Sequence, residues 1–167
     1  MKKIVINGLI LTGLLLTTAC GWHLRGGLDA AGLESVHIRS AMPHSGFARL
    51  LKNDFNSQGI TITEQPEDAQ YQVVVVRESS DSRTASITSS ARAAEQTVVE
   101  EVTVTVLGSN GDVLLPDTVL RAERSLDFDE SQIIGKADES ELVQQELLSD
   151  LVRQLTRRLL ALSKQTP

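Results

Sequence analysis

The residue with the clearest chemistry is Cys20, the single cysteine of the 167-residue chain, which follows Leu16-Thr17-Thr18-Ala19. Before that run lie Lys2 and Lys3 and then an apolar stretch from Ile4 to Leu16, diluted by Asn7, Gly8, Thr12 and Gly13. A positive start, an apolar middle and small residues before a cut are the parts of a secretory leader. With a cysteine at the cut, the run resembles a lipobox. There a thiol is diacylated, the leader is removed, and the new amine is acylated. One position departs from the usual pattern: Thr17 stands three places before the cysteine, where Leu is common, and Leu16 lies one place earlier. Each buried CH₂ of an acyl chain adds about 0.8 kcal/mol of membrane affinity, so two or more chains anchor stably. Residues 1–19 therefore read as a lipoprotein signal peptide. Residues 20–32, with Gly26, Gly27 and Gly32, read as a lipidated tether, and residues 33–167 as the folded domain. Gly21 replaces the Asp that commonly retains such proteins at the inner membrane, which by analogy favours the outer membrane.

The other reactive residue types are scattered. His23, His37 and His44 fall on the tether, a strand and a turn, without HExxH spacing or a cysteine partner. Glu100 and Glu101 are neighbours on an alternating segment, so they point to opposite faces and cannot share a substrate. Glu139 and Glu141 read as charges at a helix start. No GxSxG elbow, phosphate loop or GxGxxG is present. The expectation is a protein with no catalytic residues, no metal and no cofactor. The net charge is −6, and removal of residues 1–19 takes away Lys2 and Lys3 and no acid, leaving 14 bases against 22 acids. Nucleic-acid binding needs a basic face to displace counterions, so nucleic acid is not expected as a partner.

The elements that must position any site follow from periodicity. Ser35 to Ser40 alternates as a short strand, and Phe47, Leu50, Leu51 and Phe55 recur at helical spacing between a candidate N-cap, Ser45, and a candidate C-cap, Gly59. Ile60 to Thr63 is a short extended piece. The run Val73-Val74-Val75-Val76 suggests a strand covered on both faces. Strand, helix, strand in that order implies a parallel crossover. Arg77 to Ser90 reads either as a long strand extension or as a loop. Gln96 to Leu107 puts Val98, Val102, Val104 and Val106 on one face and Thr97, Glu101, Thr103 and Thr105 on the other. Asn110-Gly111 supplies a hairpin turn, and after Pro116 the alternation of Leu120, Ala122, Leu126 and Phe128 marks an antiparallel partner strand. Asp129 to Ala137 reads as a loop. A final helix starts at a capping box of Asp138 and Glu141 and shows one face of Leu148, Leu151, Leu155, Leu159 and Leu162. At 1.5 Å per residue its length is roughly 36 Å. The fold class is α+β, a two-layer sandwich with an about four-stranded mixed sheet and two helices on one face. Composition alone leaves the polar strand face open between simple solvation and contact with a polar surface such as a barrel lumen.

The run Cys20-Gly21-Trp22-His23-Leu24-Arg25-Gly26 resembles the mature start of LptE (RlpB), the lipopolysaccharide-assembly lipoprotein family. The element order and the leucine-faced last helix are similar as well. The resemblance implies an outer-membrane lipoprotein on the periplasmic side, held in membrane lipid by acylated Cys20. It implies a tight complex in which the chain plugs the LptD β-barrel, assists its assembly and binds lipopolysaccharide during delivery to the outer leaflet. Family interest in ligand binding centres on bases at the sheet tip and in the loop before the last helix. Lys136 matches the second. At the first, Ser89 stands where relatives can have Arg, and Arg92 lies three residues on. The competing reading is a structural or scaffolding envelope lipoprotein with no lipopolysaccharide role.

Overall fold

A computed structural model describes residues 32–87, 93–127 and 133–164. The elements are β1 (Ser35–Ser40), α1 (Gly46–Ser57), β2 (Thr61–Thr63), a 3-10 turn (Pro66–Asp68), β3 (Tyr71–Ile87), β4 (Ala93–Gly108), β5 (Val113–Asp127) and α2 (Ile133–Ser163). The five strands form one mixed sheet in the order β2-β1-β3-β4-β5. β1 pairs in parallel with β2 and β3, while β3, β4 and β5 are successively antiparallel. The α+β two-layer expectation holds with one more strand than expected, because the short piece after α1 pairs with β1 through Ser35 opposite Thr61.

α1 forms where its caps and apolar stripe agree. The Ser45 backbone is extended, and its Oγ accepts the Ala48 N–H at 3.1 Å. Phe47, Ala48, Leu51 and Phe55 are buried. The helix ends in a Schellman motif: Ile60 N–H donates to the Phe55 carbonyl at 3.0 Å and Gly59 N–H to that of Asn56 at 3.1 Å. Gly59 sits at φ +77, a conformation that glycine enters without a Cβ clash. The β4–β5 turn works similarly. Gly111 N–H donates to the Gly108 carbonyl at 3.0 Å with Gly111 at φ +83, and Gly108 N–H donates to the Asp112 carbonyl at 2.9 Å.

The segment from Arg77, left open between strand and loop, is strand as far as Ile87. Three expectations need correction. The valine run is not covered on both faces: Val73 and Val75 are buried, but Val76 is 46% exposed, because helices pack on one side of the sheet only. β5 begins at Val113 and so includes Pro116. A proline is tolerated there because β5 is an edge strand and its pairing with β4 is irregular between Val104 and Leu107. Finally, α2 starts at Ile133, so Lys136 lies in its first turn and not in a loop, and Asp138 and Glu141 fall inside the helix instead of capping it. A single glycine costs a helix interior about 1 kcal/mol, too little to stop a helix of this length at Gly135. Its 31 residues span roughly 46 Å at 1.5 Å each.

The core lies between the helices and one sheet face. Leu151, Leu155 and Leu159 of α2 meet Val102, Val104, Val106 and Leu120 of the sheet and Phe47, Leu51 and Phe55 of α1, all buried. Among the described residues no helix is long and apolar enough to cross a membrane.

Candidate functional site at the distal end of the sheet

β3 and β4 are far longer than β1, so the sheet narrows to a two- and three-stranded extension beyond Ser40 and Val75. At the far end Ile87 pairs with Ala93, and Glu95 pairs with Asp127 at the end of β5. α2 begins six residues after the end of β5 and runs back along β5 and β4. Register therefore brings the first turn of α2, which carries Lys136, to the end of the sheet where the β3–β4 connection lies. Arg92 belongs to that connection, and both Arg92 and Cys20 are outside the described residues.

Below this end, on the helix-covered face, is a cluster of polar side chains. Ser80 Oγ donates to Glu100 Oε1 at 2.6 Å, and Gln144 Nε2 of α2 donates to the same oxygen at 2.9 Å and to Ser80 Oγ at 3.1 Å. Glu100 is 4% exposed. One step along β3, Glu78 Oε1 accepts from Ser45 Oγ at 2.7 Å, so the cap of α1 also holds a sheet carboxylate. Burial raises the Glu78 carboxyl above the ordinary glutamate range; the Ser45 bond opposes the shift and the Glu100 charge adds to it. Glu100 and Glu101 do point apart, but Glu78 and Glu100 lie together, and the sequence reading missed that pair. Alternation continued from Val73 and Val75 would turn Arg77 inward and Glu78 outward. The register shift between Val75 and Arg77 inserts one residue and reverses both.

The other sheet face carries hydroxyls and paired charges. Arg121 bridges Glu101 and Glu123, the latter at 2.7 Å, and these two carboxylates hold its guanidinium pKa above the usual value. Thr97 and Ser125 hydroxyls meet at 3.0 Å, Thr105 donates to Asp117, and Arg83 pairs with Asp81 at 2.8 Å. Val99 is a buried aliphatic exception on this face. His37 Nδ1 lies 3.1 Å from the Thr63 carbonyl, a local tie between β1 and β2. Among the described residues no His, Cys, Asp and Glu group could hold a metal ion. These hydroxyl contacts and ion pairs give the face a polar surface on which several charges are already paired.

The family model described as LptE, lipopolysaccharide-assembly, matches residues 33–159. The chain belongs to the LptE family. The match starts just before β1 and ends in the last turns of α2, so it takes in the whole described sheet. Two curated LPS-assembly lipoproteins LptE are similar to the chain. That of Photorhabdus laumondii is 28% identical, with 96% of this chain and 87% of the relative covered. That of Pectobacterium atrosepticum is also 28% identical, covering 89% and 81%. The fold is that of lipoprotein B from Nitrosomonas europaea, with TM-score 0.70, 22% identity, and 86% of this chain and 93% of that chain covered. Rare lipoprotein B from Shewanella oneidensis is similar at TM-score 0.69 and 15% identity, covering 77% and 95%. Membership supports a role for this LptE chain in lipopolysaccharide transport.

Proposed function

We propose that this LptE chain is a non-catalytic outer-membrane lipoprotein, anchored on the periplasmic side through acylated Cys20, that complexes with and plugs the LptD β-barrel. In this reading it assists barrel assembly and binds lipopolysaccharide on its way to the outer leaflet. The observation that carries the proposal is the family match over residues 33–159, together with relatives named for lipopolysaccharide assembly. The open sheet face supports it physically. Barrel interiors are polar, and a face rich in hydroxyls and in charges that are partly paired within the chain is compatible with one.

Lys136 and Arg92 are the proposed ligand contacts. Lipid A phosphates are anionic and the chain is acidic, so local cations must offset the repulsion through charge-assisted hydrogen bonds. A lysine is a point charge on a flexible stem and suits a phosphate without fixed geometry.

The test is affinity purification from gently solubilised envelopes, with mass spectrometry of the bait and its companions. The expected result is a diacylated and N-acylated mature chain starting at Cys20, in stoichiometric company with LptD. Recovery of the chain alone would reject the barrel complex, and an unmodified Cys20 would reject the anchor.

A further inference from the structure

The interface between α2 and the sheet is not one continuous apolar seam. The main core holds Val102, Val104 and Val106 of β4, Leu120 of β5 and, from α2, buried residues from Leu151 onward. Farther along the same surfaces is a second cluster of Val98, Val143 and Leu147, with Ala122 and Leu126 packed against it. On β4 the residue between Val98 and Val102 that faces the helices is Glu100, and Ser80 and Gln144 close on it from β3 and α2. A layer of hydrogen bonds thus crosses the sandwich from β3 through β4 to α2. Ala122 packs against both clusters and is the apolar bridge between them among the described residues.

We propose that the distal part of the domain opens as a cooperative unit separate from the main core, with the Ser80–Glu100–Gln144 layer as its hinge. The unit comprises residues 80–87 of β3, 93–100 of β4, 122–127 of β5 and 133–147 of α2. Two physical facts carry this. Local opening is governed by buried apolar contacts, and the polar layer sets the distal cluster of Val98, Val143 and Leu147 apart from the main core. The boundary layer is built from hydrogen bonds that water can replace when the halves part, whereas separating an apolar seam exposes surface with no such replacement. The β3–β4 and β4–β5 ladders run through the boundary, so the strands stay paired on the core side of the hinge while the distal strand ends and the first part of α2 open together. The unit includes the first turn of α2, so its opening moves Lys136 relative to the main core. The proposal concerns the fold and stands whether or not Lys136 binds a ligand.

Hydrogen exchange read by mass spectrometry on the full chain tests it. In the wild type, amides of 140–147 in α2 and of 95–100 in β4 should exchange together, at least tenfold faster than those of 151–160 and 102–106. Val98→Ala should speed exchange in 140–147 on the order of tenfold, as loss of two buried methyl carbons at a site that collapses partly does, and leave 151–160 unchanged. Glu100→Val, which joins the two apolar clusters, should slow exchange in the distal segments by a similar factor. If Val98→Ala accelerates 151–160 as much as 140–147, the domain opens as one body and the proposal fails. If Val98→Ala leaves 140–147 untouched, α2 merely frays from its end, and the proposal fails as well. Should Glu100→Val not fold, the wild-type and Val98→Ala profiles still decide.

Discussion

Replacing Ser45 with Ala removes one hydroxyl that does two things at once. Its oxygen accepts the Ala48 N–H at 3.1 Å, satisfying a first-turn donor of α1, and its proton goes to Glu78 Oε1 at 2.7 Å. Loss of an N-cap side chain costs roughly 1 kcal/mol. A hydrogen bond to a charged group contributes about 1.5–3 kcal/mol when it is sheltered, and Glu78 is only half-buried, so the low end applies. The two together give a destabilisation of about 2.5 kcal/mol, measurable as a shifted midpoint in urea unfolding followed by far-UV circular dichroism with the slope unchanged. Glu78→Gln should itself show a pH signature. The folded-state pKa of Glu78 is raised above the ordinary 4.5, so the folded state holds the proton more tightly. That contribution to stability is fully present below the unfolded pKa and is lost as pH rises through the folded value. Glu78→Gln should therefore flatten stability against pH from about 4.5 upward. Ser45→Ala removes the one bond that lowers this pKa, so it should steepen the same dependence. A double-mutant cycle isolates the bond, and Ser45→Ala should cost less when Glu78 is already Gln. Strict additivity, or a Ser45→Ala midpoint indistinguishable from wild type at pH 7, would refute the reasoning.

Other expectations follow from single contacts. Leu155 is fully buried between α2 and the sheet, and Leu155→Ala should cost about 2–5 kcal/mol in the same unfolding assay. Gly59→Ala places a Cβ on a residue at φ +77, and although nothing crowds the site, the backbone conformation alone should cost about 1 kcal/mol by thermal unfolding. Lys136→Asp should weaken binding of lipopolysaccharide, read by direct titration, while leaving co-purification with the barrel intact. Unchanged binding removes Lys136 from the proposed site.

Much of this fold was legible because its local signals agree. Ser45, the apolar spacing of Phe47, Leu51 and Phe55, and Gly59 each mark the same helix, and the structure places cap, stripe and terminus where those residues predict. The leucine face of α2 and the alternation of β4 read equally well, since burial on one side leaves a period that the chain itself displays. Cys20 lies outside the described residues, and its acylation is a proposal that rests on the order of residue types alone. What the chain did not display was the sites where neighbours decide. The start of α2 was misread because Gly135 and two acids look like punctuation, while helix extension across one glycine depends on the length of helix already formed. The faces of β3 beyond Val75 were undetermined for a sharper reason. Side chains alternate with a period of two, so a single inserted residue at Val76 exchanges inside for outside from Arg77 to the next register shift after Thr84. Only pairing with β4 fixes that insertion, and with it the meeting of Glu78, Glu100 and Gln144, residues that stand up to 66 positions apart in the chain.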